Sequence, residues 1–159
     1  METPKKILVI RLTAIGDVVL TLPAVSALRQ NYPAAKIVFL TVQENGVLLR
    51  GFRDMDATIA IDRAALRGKN LFRSAAELFR LLRRLRKEKF SLVVDLQGNG
   101  ESAWLTRLTG AQQRWGVFHK ASRRWAFTKS INRKDEMHAA EMHLALLRQC
   151  GLNTKNIRN

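Results

Sequence analysis

The fold turns on KKILVIRLTAIGDVV, residues 5–19. KKILVIR (5–11) is a continuous apolar run closed by an arginine, the pattern of a strand buried on both faces in a parallel sheet. A short loop follows, and the pair Gly16-Asp17 opens a second apolar run. A helix is expected from Asp17 to Tyr32, with Val18, Val19, Leu22, Val25, Ala27 and Leu28 supplying its apolar side. Pro23 should kink that helix, or mark the point where a looser first turn becomes regular.

The same alternation runs on. KIVFLT (36–41) reads as a second strand, ENGVLLRGF (44–52) as a short helix and DATIAI (56–61) as a third strand. A basic loop, DRAALRGKN (62–70), leads into a long helix over 71–89. FSLVVDL (90–96) is strand four, GESAWLTRLTG (100–110) a helix and QRWGV (113–117) a fifth strand. After a loop containing HKASRRW (119–125), DEMHAAEMHLALLRQCG (135–151) is a closing helix ended by Gly151. Strands alternating with helices, with no hairpin signal, predict an α/β domain with a Rossmann-like, doubly wound, mostly parallel sheet. The domain is expected over 1–152, with 153–159 a tail or the start of a linker. Ligands in such folds bind at the carboxyl ends of the strands. Three stretches fall there: the Arg11–Asp17 loop, the loop 62–70 and the turn DLQGNGE (95–101).

Composition narrows the partners. The 159 residues, 47% hydrophobic and 26% charged, are those of a globular domain with a real core. No apolar run approaches the roughly 20 residues that span a bilayer, and the N-terminus carries no secretory pattern. Cys150 is the only cysteine, which fits a reducing cytoplasm. The net charge of +15 favours polyanions: nucleic acid, an anionic membrane, or a phosphorylated or carboxylated substrate.

Asp17 has two readings. At an N-cap its carboxylate would accept backbone N–H bonds, and at the mouth of the strand-one crevice it could act as a catalytic base. GNGESA (98–103) matches G-x-G-x-x-A, yet it follows the fourth strand and no acid lies about 20 residues on. A tight turn whose N–H groups meet a polar ligand group explains it better than a dinucleotide site. The basic residues of the 71–89 helix, with Leu71, Ala75, Leu78, Leu82 and Leu85 on the other side, form a solvated face or one lying on anionic headgroups. Arg63, Arg67 and Lys69 sit at the crevice mouth, where a guanidinium pairs with phosphate or carboxylate. His138 and His143 are five apart, not the four that stacks metal ligands on one helix face, so no metal site is expected. Trp104, Trp115 and Trp125 read as packing residues. No helix-turn-helix, zinc-finger or RNP-type motif supports specific nucleic-acid binding, so a basic anion- or nucleic-acid-binding module without catalysis is the alternative reading.

ILVIRLTAIGDVVLTLPAVSALRQNYPAAKIVFLT, VVDLQGNGESAWLTRLTGAQQRWGV and HAAEMHLALLRQCGL together resemble the N-terminal half of glycosyltransferase family 9, the ADP-heptose:lipopolysaccharide heptosyltransferases. The specific signal is IGDVV-x-T-x-P paired with a later D-x-QG-x3-SA. The resemblance implies the acceptor-binding half of a GT-B enzyme, with a C-terminal nucleotide-sugar domain absent from these residues. It implies Asp17 as the general base of an inverting transfer of heptose from ADP-heptose to the Kdo/heptose inner core of lipopolysaccharide. It further implies no cofactor and no required metal. Thr13, Gly16, Arg63, Arg67, Lys69, Gln97, Gly98, Arg123 and Arg124 become acceptor-binding candidates. A lipid A-Kdo-like acceptor and a peripheral place on the inner face of the inner membrane follow. Glu101 stands where some relatives carry a lysine, so that acceptor contact is not expected here.

Overall fold

The computed structural model describes residues 2–133, 136–155 and 157. The expected first strand forms as β1, Lys6–Ile10, with Ile7 to Ile10 fully buried. Successive side chains of a strand point to opposite faces. Ile7 and Val9 therefore enter one core cluster, while Leu8 and Ile10 enter the other. Layers of helix cover both faces, which is why the run is apolar throughout instead of alternating.

In chain order the elements are β1, α1 (Ile15–Val19), α2 (Leu22–Asn31), β2 (Lys36–Val42), α3 (Gln43–Gly46), β3 (Ala57–Ile61) and α4 (Arg63–Leu66). There follow α5 (Leu71–Lys87), β4 (Leu92–Asp95), α6 (Gly100–Leu108), β5 (Gln113–Phe118), a 3-10 segment Ala121–Ala126, β6 (Lys129–Asn132) and α7 (Ala139–Gln149). The sheet order is β3-β2-β1-β4-β5-β6 and every pairing is parallel. The doubly wound sheet expected from sequence is therefore present, with one strand more than the five read from the pattern. β6, KSIN, is an edge strand with no buried residue, so it lacks the apolar run that marks an interior strand. α2 and α7 pack with Val25, Leu28, Met142 and Leu146 on one face; α5 and α6 close the other with Leu81, Leu85 and Leu105.

Several local expectations change, among them the short helix expected over 44–52, which is only α3. The helix expected over 17–32 is two helices: α1 ends at Val19, and Thr21 Oγ1 donates to the Val18 carbonyl at 2.6 Å before α2 begins. Pro23 lies in the first turn of α2, where a missing N–H costs nothing. It starts a helix and kinks none, and Val19 is exposed. The basic loop 62–70 contains the short helix α4, capped by Asp62, whose carboxylate accepts from Ala64 N–H at 2.9 Å and Ala65 N–H at 3.1 Å. The expected long helix is α5, but only Leu81 and Leu85 are buried in it; Leu71 is 80% and Phe72 91% exposed. At the other end, α7 begins at Ala139 with His138 at its N-cap, and Lys134 and Asp135 lie outside the described residues. The segment after Gly151 is held to α2 by a reciprocal pair: Asn31 Nδ2 donates to Asn153 O at 2.7 Å and Asn153 N–H donates to Asn31 Oδ1 at 3.0 Å.

Candidate functional site at the β1–β4 switch point

β1, β2 and β3 run outward in one direction and the chain then returns to place β4 on the other side of β1. This reversal opens a crevice at the carboxyl ends of β1 and β4, the place where doubly wound sheets bind ligands. Side chains stitch its floor. Leu12 N–H donates to Gln97 Oε1 at 3.0 Å, and the Arg11 guanidinium donates through Nη1 to the Leu96 carbonyl. Asp95, the last residue of β4, accepts from Gln97 N–H at 2.8 Å and Gly98 N–H at 3.1 Å, which folds the chain back over the strand end. Gly98 sits at φ +74°, and a Cβ there would lie 2.6 Å from the Val117 carbonyl. Only glycine fits. Arg123 Nη1 then donates to the Gly98 carbonyl at 3.1 Å.

Asp17 faces this floor. It is the third residue of α1, whose N-cap position is held by Ala14, and its side chain makes no capping hydrogen bond. The cap reading is therefore wrong. The carboxylate pairs with Arg11 instead, Nη2 to Oδ2 at 3.5 Å, with the arginine side chain 6% and the aspartate side chain 44% exposed. Burial pushes the Arg11 guanidinium below its ordinary value, while Asp17 and Asp95 pull it back and Arg133 adds to the depression. Arg11 is the crevice residue that sequence reading left unassigned. Its signal was a lone arginine ending an apolar strand directly before the glycine–aspartate pair.

Around the pair the charges are mixed. Asp95 is fully buried, and burial raises its carboxyl to about 6 against the lowering effects of Ser102, Gly98, Gln97 and Arg11. His143 of α7 is also fully buried, with Nδ1 3.2 Å from the Leu20 carbonyl. Burial pushes its imidazole down to about 4, so it is neutral at pH 7. Arg133 Nη1 lies 3.2 Å from His119 Nε2 at the end of β5. Arg133 thus adds positive charge close to Arg11 and His143, near the half-exposed Asp17 carboxylate.

The other candidates fall into two sets. Thr13 and Arg63 line a shared open cleft of about 430 Å³ with Leu12, Ile15, Asn45 and Leu48. The Thr13 hydroxyl has no hydrogen-bond partner among the described residues, while its carbonyl accepts from Asn45 Nδ2 at 2.7 Å. Arg63 donates to the Leu12 carbonyl at 3.2 Å and reaches Glu101 Oε2 at 3.3 Å; Arg67 approaches the same oxygen at 2.5 Å. Glu101 thus acts as an internal counterion to both loop arginines. Gly16 lies exposed in α1 beside Asp17, with open space where a Cβ would be. Lys69 is exposed in the link from α4 to α5 and joins no ion pair among the described residues. Arg123 and Arg124 part company: Arg123 holds the Gly98 loop, whereas Arg124 lines a separate groove with Trp125, Lys129 and Gln149.

Known proteins share this fold. A curated relative, lipopolysaccharide heptosyltransferase 3 of Escherichia coli K12, is 27% identical over 140 residues, covering 86% of this chain and 40% of the relative. Lipopolysaccharide heptosyltransferase 1 of Pseudomonas aeruginosa is 31% identical over 113 residues, covering 66% of this chain and 30% of the relative. The chain therefore spans about 40% or less of the length of these relatives. Among solved structures, a glycosyl transferase family 9 protein from Veillonella parvula superposes with a TM-score of 0.82 at 27% identity, over 100% of this chain and 44% of that one. The Escherichia coli heptosyltransferase WaaC, solved with ADP-2-deoxy-2-fluoro heptose, gives a TM-score of 0.83 at 21% identity over 96% and 50%. The fold is thus one Rossmann-like half of a GT-B glycosyltransferase. The sequence model of glycosyltransferase family 9 (heptosyltransferase) matches residues 78–158, just over half of the chain, and the chain belongs to that family.

Proposed function

We propose that this chain forms the acceptor-binding half of an inverting glycosyltransferase that moves heptose from ADP-heptose to the Kdo/heptose inner core of lipopolysaccharide. The observation that carries the reading is the half-exposed Asp17 carboxylate, paired with buried Arg11 at the β1–β4 switch point. In this reading Asp17 takes the proton of an acceptor hydroxyl while that oxygen attacks the anomeric carbon. The carbon–oxygen bond to ADP breaks on the opposite face, and ADP leaves with the bonding electrons. Arg11 engages Oδ2 and leaves the second carboxylate oxygen for the hydroxyl. Arg63 and Arg67 meet the acceptor's phosphates or carboxylates after displacing Glu101, and Thr13 and the Gly98 turn border its sugar. The relatives' greater length supports a separate donor-holding half, so the 159-residue chain alone binds such anions weakly and transfers nothing.

The test is Asp17→Asn in a two-domain enzyme to which this chain supplies the first half. Turnover is expected to fall by roughly a hundredfold or more, as removal of a general base does, with acceptor binding retained. Near-normal turnover, or transfer by the isolated chain, overturns the reading.

A further inference from the structure

α5 carries more apolar surface than the sheet covers. Its buried side is Leu81 and Leu85. At 3.6 residues per turn, Phe72, Ala76, Phe79 and Arg83 form a stripe pointing away from those two leucines. Phe72 is 91% and Phe79 66% exposed. Leu71 and Leu78, also exposed, edge that stripe on the side of α6. There the groove between α5 and α6 continues the apolar surface to Trp104, 58% exposed. On the opposite flank come Arg73, Arg80, Arg84 and Lys87, all exposed. Glu77 is the only acid within α5, and it pairs with Arg80.

A solvated charged face explains the arginines but leaves two phenylalanines in water. A protein partner of unspecified kind explains the phenylalanines but not the surrounding run of basic residues. An apolar strip beside a basic strip is what a helix needs to lie in the headgroup region of an anionic bilayer, burying aromatic and aliphatic side chains at the acyl boundary. Each basic residue near such a surface adds attraction. We propose that the outer face of α5, continued by Trp104 of α6, docks the domain on an anionic phospholipid bilayer. The inference rests on the proposed lipid-linked acceptor for its purpose. α4, which starts at Arg63 and is followed by Arg67, directly precedes α5, so docking sets these two arginines beside the membrane plane.

The chain itself is tested by co-sedimentation with vesicles of phosphatidylglycerol and phosphatidylcholine against vesicles of phosphatidylcholine alone. Preference for the anionic vesicles is expected, with part of the binding surviving about 0.5 M salt because the apolar contribution is unscreened. Phe72→Ser with Phe79→Ser should weaken it on the order of tenfold, since affinity scales with the apolar area inserted. In a Trp125→Phe background, brominated phosphatidylglycerol should quench Trp104, because Trp115 is buried. Equal binding by the double variant, no anionic preference or an unquenched Trp104 overturns the proposal. So does a wild-type dimer that the double variant splits, or duplex DNA that displaces the vesicles at low salt while Trp104 stays dark to the quencher. In the two-domain enzyme, transfer to a soluble acceptor without vesicle binding sinks the docking alone, whereas vesicle binding without transfer to any acceptor sinks the transferase reading alone.

Discussion

The Arg11 guanidinium bridges the two halves of the sheet: Nη1 holds the Leu96 carbonyl beyond β4 and Nη2 lies 3.5 Å from Asp17 Oδ2 in α1. One side chain therefore couples the floor of the crevice to its half-exposed carboxylate. Arg11→Met keeps the aliphatic volume and removes both contacts. A loss of about 1–3 kcal/mol is expected in urea unfolding, because the buried Leu96 carbonyl then lacks its donor. Arg11→Lys should recover part of that loss, and an unchanged midpoint for Met would show the bridge to be idle.

Asp95 and His143 make opposed contributions to stability as pH changes. The Asp95 carboxyl is raised from 3.8 to about 6 by burial, so the native state holds its proton longer than the unfolded chain. Its contribution is present below about 4 and is lost as pH rises through about 6. The His143 imidazole is lowered from 6.5 to about 4, so its contribution is present above 6.5 and is lost as pH falls through about 4. Between about 4 and 6 the two slopes cancel, and these groups leave the wild type nearly flat. Asp95→Asn should expose a fall in stability on acidification over that window, and His143→Gln a rise. Each slope is on the order of 1 kcal/mol per pH unit. Urea midpoints at several pH values read the outcome, and parallel curves for both variants would refute it.

Glu101 neutralises Arg63 and Arg67 through a single oxygen. Glu101→Gln keeps the shape and frees both guanidinium groups. Binding of inorganic pyrophosphate, followed by calorimetry at low salt, should tighten roughly threefold to tenfold, the range of partly exposed charge pairs. Glu141→Gln, whose partner Arg148 lies on α7, serves as the control and should leave binding unchanged.

Two glycines with similar positive φ separate strain from steric overlap. At Gly98 (φ +74°) an added Cβ would meet the Val117 carbonyl at 2.6 Å, whereas at Gly110 (φ +78°) it would enter open space. Both alanine variants bear the left-handed penalty of about 1 kcal/mol. Gly98→Ala should lose about 1–3 kcal/mol more, measured as the difference in unfolding free energy between the two variants. Equal losses would mean that the β4 turn yields without cost.

β1, β2 and β4 were legible because double burial writes itself as a near-continuous apolar run, as in KILVI and LVVD, while β3 and β5, buried only in part, were read from the shorter runs in ATIAI and QRWGV. β6 was not, since an edge strand needs no such run. The break between α1 and α2 was hidden because Val18 and Leu22 keep a helical spacing across Leu20-Thr21. Periodicity also misled in α5: a run with apolar residues on one side looks the same whether that side meets a sheet or projects past it. In the site, Asp17 was visible through its loop position and motif. Its ion pair was not, because the partner arginine lies six residues back, and the Gln97 bridge joins segments 85 positions apart. Contacts of that span are products of topology and leave no local trace.

The stitches of Gln97 and Arg11 across the β1–β4 split also decide which parts of the crevice can adapt. The floor is pinned to the sheet on both sides. Arg67, by contrast, is tethered by a single ion pair at the rim. A ligand entering here meets an unyielding base and a compliant edge, so discrimination among ligands of similar charge falls to the base, and accommodation of different sizes to the rim.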